Sequence, residues 1–489
     1  MVMPKPSNLL PISLVATLAA APLAQANYTE TEAASGVDPV IPARLSHDGN
    51  PLLHEGVLRH SDYSAVQHAL ASAGRIMRDS EMGHEDYHPE LAEEPMKAQA
   101  EAWVQVQQQA AEFLMADTPA GTMEQDDGQW VPGRGMGLAE LAPASFSYHM
   151  HHSGGRWAEL DAGLEQQITY GSVGYLGGMT ERLYQTHYED GSFHNTDGDT
   201  TPESLAQGLD ALHALAYSWV RWDKPGGADD MGQLDQQRLE DSQGVTLEEL
   251  LSMSRDLANT LHEAWDEERS AYDLGQGTSY DLDTLGSLIR GHKGLYEILH
   301  VFGDESDKEQ ARMLFDHKAD MLLALFDSGD AVQAWGIAER LSYTDSGVEA
   351  DSEQVDTEKQ WRFLNHLTGG FATTREREGT AQFLEQRPEL QSRIGLLSDR
   401  LLNGAMEHLL DDDGLMVRRV ALEDGEVLDD AHQVAAIGWF VTAAGNAYRA
   451  GNVFERPGDW GDDELLAERS SELYDSIRTN NDWLLDLIE

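Results

Sequence analysis

The sequence predicts an all-α fold built from helical hairpins, and three observations predict it. From about Tyr63 to the C-terminus, apolar residues recur at spacings of three and four, as helices with one buried face require. Alternating apolar and polar runs of the kind strands need are scarce. Finally, one unit recurs: a helix ends in an acidic turn, a short extended piece follows, and a second acidic turn opens the next helix. It spans Gly178 to Trp219, with its turn at Glu189-Asp190-Gly191 and a helix opening at Thr201-Pro202-Glu203. It returns from Leu257 to Leu299, with a turn at Asp266-Glu267-Glu268 and an opening at Asp281 to Thr284. The third copy runs from Leu401 to Tyr448, with Asp411 to Gly414 as the turn and Asp429-Asp430 as the opening. Carboxylates suit these openings, because free N–H groups and the helix dipole favour negative charge there.

Residues 1–26 read as a secretory signal, with Lys5 ahead of an apolar stretch from Leu9 to Leu23 and small residues at Ala24 and Ala26. Pro11 and Pro22 interrupt that stretch, which is short of the roughly 20 apolar residues a membrane anchor needs. A periplasmic or secreted protein without membrane insertion is expected. Residues 27–60 hold Pro39, Pro42 and Pro51 and read as an extended lead-in, and residues 61–489 as a single domain. The expected helix pairs are 63–79 with 94–116, 156–170 with 178–188, 203–222 with 246–266, 283–302 with 306–327, 358–372 with 392–410, and 430–450 with 463–487. The first member of a pair tends to be apolar and rich in small residues, the second amphipathic, which suggests an inner ring of buried helices inside an outer ring facing water.

Charge narrows the function classes. Asp and Glu number 87 against 33 Lys and Arg, for a net charge of −54 spread along the chain. Nucleic-acid partners need basic surface, so they are not expected. Abundant hydrated carboxylates instead suit a protein kept soluble in high salt, as in a halophilic or marine bacterium. With no cysteine there is no disulfide and no lipid attachment through a thiol.

In its layout the chain resembles the six-hairpin, or (α/α)6, toroids. That superfamily includes N-acylglucosamine 2-epimerase-like proteins, unsaturated glucuronyl hydrolases, several polysaccharide lyases and thioredoxin-linked six-hairpin proteins. The resemblance implies an all-α (α/α)6 toroid spanning about 60–489, with a site in the funnel formed by the loops that lead into the inner helices. The groups at those openings are His194, Asp197, Asp199 and Glu203 before the third inner helix, Asp281 and Asp283 before the fourth, and Asp429, Asp430 and His432 before the sixth.

Glycosidic chemistry needs paired carboxylates, one to protonate the leaving oxygen and one to act as base or nucleophile. Glu203, Asp283, Asp430 and His432 are therefore the catalytic candidates, although each also fits simple capping of a helix. His149 and His151, in Tyr148-His149-Met150-His151-His152, stand two apart on an extended segment and can face one side. With Trp157, His194, Arg290 and His292 they form the substrate-binding candidates. Arg290 and His292 lie inside an apolar helix, where they suit either an anionic sugar such as a uronate or a salt bridge to an acidic neighbour. Trp157, Trp219, Trp222, Trp361 and Trp439 offer faces for sugar rings, or simply core.

Asn195 to Asp199 begins like a calcium loop but has Thr200 where the glycine belongs and Ala206 where the bidentate acid belongs, so it is no EF-hand. No cofactor is expected, a looser site for Ca²⁺ or another divalent metal at Asp197, Asp199 and Glu203 being the alternative. The serine-hydrolase elbow, the P-loop and the dinucleotide fingerprint are missing from any fitting context. The expected function is that of an exported carbohydrate-active protein, an oligosaccharide hydrolase, lyase or epimerase with a small-molecule or oligosaccharide substrate. The alternatives are a non-catalytic binding or scaffolding protein and a metal-handling protein using His149 to His152.

Overall fold

A computed structural model describes residues 44–45, 57–82, 97–106, 122–126, 129–132, 137–147, 183, 185–222, 240, 244–275, 277–371, 378–452 and 470–488. The signal-like segment 1–26, the histidine run His149 to His152, Trp157 and the expected helix 156–170 lie outside them. The helices are α1 (His60–Met82), α2 (Leu138–Ser147), α3 (Pro202–Trp222), α4 (Leu247–Ala264), α5 (Leu282–Phe302), α6 (Glu305–Asp327), α7 (Thr357–Phe371), α8 (Glu378–Leu384), α9 (Pro388–His408), α10 (Val434–Asn452) and α11 (Ser470–Ile488). A further helical stretch covers 97–106.

Six of these helices form a closed circle. α1 packs on α2, α2 on α3, α3 on α5, α5 on α7, α7 on α10, and α10 returns to α1. Outside them, α4 and α6 lie against α5, α9 against α7 and α10, and α11 against α10 and α1. The chain is thus an all-α (α/α)6 toroid. The second place in the circle belongs to α2, a helix absent from the pairs read in the sequence, which carries Pro143 in its interior. In the inner helix α5, every residue from Thr284 to Leu299 is buried, polar ones included.

The helix openings follow local chemistry. Asp281 caps α5 by accepting from the Asp283 N–H at 3.0 Å, and α4 and α6 begin with reciprocal capping boxes, Thr246 with Glu249 and Asp304 with Asp307. The recurrent acidic turns are tight hairpins. β5 (Tyr188–Glu189) pairs with β6 (Ser192–Phe193) across Asp190-Gly191, both at positive φ, as a two-residue turn matched to strand twist demands. β7 (Trp265–Asp266) pairs with β8 (Ala271–Tyr272), and Leu410 bridges to Met416.

Short strands lead into four inner helices: β2 (Val57–Arg59) into α1, β9 (Ser279–Asp281) into α5, β12 (Gln354–Asp356) into α7 and β15 (His432–Gln433) into α10. β9 pairs with β10 (Arg340–Thr344), which pairs with β11 (Gly347–Ala350). β12 pairs with β13 (Arg419–Ala421), which pairs with β14 (Val427–Asp429). β2 joins β3 (Thr122–Asp126) and β4 (Gln129–Pro132). β1 (Arg44–Leu45) pairs antiparallel with β15.

The tightest seam is between α3 and α5. A Cβ at Gly291 would stand 2.4 Å from the Leu209 Cβ, and one at Gly294 would stand 2.6 Å from the His213 Cα. Only glycine permits that backbone approach. No helix among the described residues is long and apolar enough to cross a membrane.

Candidate active site

The lead-in strands end, and the inner helices begin, at one mouth of the circle, so side chains far apart in sequence converge there. Arg59 closes β2. Its Nη2 donates to Asp62 Oδ1 at 2.6 Å and to both carboxylate oxygens of Glu358 at 3.0 Å, across 299 positions of chain. Asp62 sits in the first turn of α1 and also accepts from the Arg59 N–H at 2.9 Å. Glu358, in the first turn of α7, further accepts from Gln433 Nε2 at the end of β15. Gln433 Oε1 accepts from Arg418 Nε at 3.1 Å, and Arg418 pairs with Asp429 at 3.2 Å.

Beside this chain of contacts, Lys359 Nζ reaches Asp281 at 2.6 Å and Arg362 Nη1 reaches Asp283 Oδ2 at 2.8 Å. Below lies Trp439 on α10, its ring 6.0 Å from the Arg362 guanidinium and 4.9 Å from the His68 ring. One layer deeper, Arg290 clamps Asp210 through both Nε and Nη2, and His366 Nε2 stands 3.8 Å from the same carboxylate.

The carboxylates at the mouth are driven in opposite directions. Burial raises the pKa of Asp283, with Glu358 and Asp281 adding to the rise and Arg362 opposing it. Burial works against charge on Glu358 too, yet Arg59, then Arg362 and Arg418, hold its pKa below the usual carboxylate value. Asp62 is raised, by burial first and despite Arg59. Burial also pushes His366 well below the ordinary histidine value, helped by Arg290 and Arg362, so its imidazole is neutral. A raised and a lowered carboxylate around shared cations is the arrangement that separates an acid from a base.

Of the sequence candidates, Asp283 stands in this network. Glu203 and Asp430 are exposed, and Asp430 lies between β14 and β15 rather than in α10. His432 is buried and turns toward the outer layer, where its Nε2 is 3.3 Å from Asp411 and its ring faces Trp483 of α11. His194 is half-buried beside His187, whose Nδ1 is 3.0 Å from the His194 carbonyl oxygen. Arg290 is taken up by Asp210, the salt bridge weighed from the sequence.

His292 is locked outward. Its Nδ1 is 2.6 Å from the Leu288 carbonyl, so that nitrogen donates and Nε2 accepts from the Tyr272 hydroxyl at 2.8 Å. The Tyr272 oxygen in turn is 3.2 Å from His317 Nδ1. Trp219, Trp361 and Trp439 are core. Asp197 and Asp199 are exposed on a loop tied by Asn195 Oδ1, which accepts from both of their N–H groups at 3.0 Å. Among the described residues, no group of three or more His, Asp or Glu is arranged to hold a metal ion. The structure adds Arg59, Asp62, Glu358, Arg362 and Gln433, whose one sequence signal is position: each ends a lead-in strand or lies in the first two turns of an inner helix.

No family model matches the chain, and no curated protein matches it. Among solved structures it is similar to a sugar epimerase from a ruminal bacterium, at 9% identity and TM-score 0.45 over 84% of this chain and 93% of that one. A D-mannose isomerase follows at 11% identity and TM-score 0.44, over 86% and 93% of the two chains. A cellobiose 2-epimerase from Bacillus thermoamylovorans B4167 shares 10% identity at TM-score 0.43, over 83% and 92%. At TM-scores below 0.5 these likenesses assign no chemistry to this chain, and its closed circle of helices stands on its own contacts.

Proposed function

We propose that the chain is an exported carbohydrate-processing enzyme, a single toroid over 61–489 acting on a sugar substrate by general acid and base catalysis at the mouth. Asp283 is the proton donor and Glu358 the base or nucleophile. The observation that carries the reading is the pair itself: two carboxylates on neighbouring inner helices, one pKa raised and one lowered, with Arg362 acting on both. Burial shifts Asp283 toward its protonated form, and the arginines around Glu358 favour its ionised form, the directions that suit a donor and an acceptor of protons. Each is partly open, with side-chain exposures of 25% for Asp283 and 13% for Glu358. Arg59, Gln433 and Arg362 supply donors for hydroxyl and ring oxygens.

The test is turnover on a panel of oligosaccharides and reducing sugars, with products read by NMR to separate hydrolysis, elimination and epimerisation. Asp283→Asn and Glu358→Gln should each lower kcat by about 10²- to 10⁴-fold with the helical circular dichroism retained. A folded variant that keeps kcat within about threefold removes its residue from the chemistry and ends this assignment.

A further inference from the structure

Resting on the mouth as a sugar site, we infer that it takes a sugar bearing a carboxylate, a uronate, and that Arg362 is the residue that selects it. Arginine grips a carboxylate best along the edge formed by Nε and Nη2, where two parallel N–H groups meet two oxygens. Among the described residues three arginines show the pairing: Arg59 gives Nε and Nη2 to the two oxygens of Asp62, at 3.4 and 2.6 Å. Arg255 gives Nε and Nη2 to the two oxygens of Asp307, at 2.8 and 2.7 Å. Arg290 does the same with Asp210.

Arg362 departs from that pattern. It is 6% exposed, and its bond to Asp283 uses Nη1. Its Nε and Nη2, the carboxylate-gripping edge, are buried and have no hydrogen-bond partner among the described residues. Asp283 Oδ1 is likewise buried, with no hydrogen-bond partner among the described residues. A buried cationic edge left unfilled is costly, so such an edge points to a ligand. A sugar carboxylate seated on Nε and Nη2 completes the fork and sets the pyranose ring beside Asp283 and Glu358. Arg59, Lys359, Arg418 and Arg419 also stand at this mouth, but each is paired with a carboxylate of the chain (Asp62 and Glu358, Asp281, Asp429, Asp356), so the edge of Arg362 and not the local net charge would hold an anion. Elsewhere the net charge of −54 repels anions, so any preference for a uronate must be local.

Isothermal titration of the full chain with D-glucuronate and with D-glucose, at equal ionic strength, reads this without turnover. The intact protein should bind glucuronate tighter by on the order of tenfold or more. Arg362→Gln should erase the difference, and Arg362→Lys should keep part of it, as a charge without the fork. Arg255→Gln, on the outer layer, should leave it unchanged. Because Arg362→Gln strands Asp283, the double variant Asp283→Asn/Arg362→Gln serves where the single one does not fold, and it too should show no preference. Equal affinities in the intact protein, no binding of either sugar, or a preference that survives without Arg362 overturns the inference. Full turnover of a neutral sugar with no gain from a carboxylate would overturn it as well, while leaving the acid–base roles of Asp283 and Glu358 standing.

Discussion

Replacing Arg290 by methionine strands a carboxylate in the middle of the circle. Both Arg290 and Asp210 are completely buried, and their two parallel hydrogen bonds satisfy both oxygens of Asp210. Ser287 Oγ, at 3.4 Å, is a weak substitute, and His366 stands 3.8 Å away with its pKa pushed down. Removing one partner of such a pair costs about 3–5 kcal/mol, because the other charge is left without water or counter-ion. That is a large share of the roughly 5–15 kcal/mol by which folded proteins hold together. Asp210→Leu should cost about as much for the mirror-image reason. The double variant Arg290→Met/Asp210→Leu should be more stable than either single one, since an apolar pair of similar volume needs no compensation. Urea unfolding followed by circular dichroism at neutral pH measures all three, the shift in midpoint multiplied by the common slope giving the change. A loss below about 1 kcal/mol for Arg290→Met, or a double variant weaker than both singles, would refute the reasoning.

Two other perturbations follow from the packing. Gly291→Ala would drive a methyl into Leu209 and should lower stability by about 1–3 kcal/mol, seen as a lower melting temperature; an unchanged melt means that α3 and α5 can separate freely. Acid should loosen the outer side of α5, because burial lowers His292 to about 3 and His317 to about 4, while an unfolded histidine titrates near 6.5. Between those values the unfolded chain binds more protons, so the stability these rings contribute is complete above about pH 6.5 and is lost as the pH falls toward 4 and then 3. Urea midpoints at about pH 7, 5.5 and 4.5 should decline, and His317→Gln should flatten the decline; an identical slope in that variant would exclude His317 as a cause.

Much of the layout was legible because it is written locally. Periodicity placed α3, α5 and α6 to within a residue or so, and the acidic turns marked true hairpins, since Asp190-Gly191 can do little else. Asp281 and Asp283 were visible as a helix opening. Their neighbours were not, because Glu358 and Arg362 look like the polar face of any amphipathic helix, and nothing near Arg59 announces that it will meet α7. Closing a circle brings the starts of α1 and α7 together, and that is a property of the whole chain. The same limit misled in the other direction: Arg290 and His292 look unusual as a pair in sequence, yet they lie on a helix buried on all sides and face different partners, Asp210 and Tyr272.

The antiparallel contact of β1 with β15 joins a strand that precedes the first inner helix to the one that introduces the last. A row of stacked hairpins can fray from its tips, each unit leaving its neighbour intact. Here the two tips hold one another, so no hairpin is terminal and none can peel away without opening the ring. Hydrogen exchange should accordingly find the inner helices opening together, as one cooperative unit rather than as a gradient of protection along the chain.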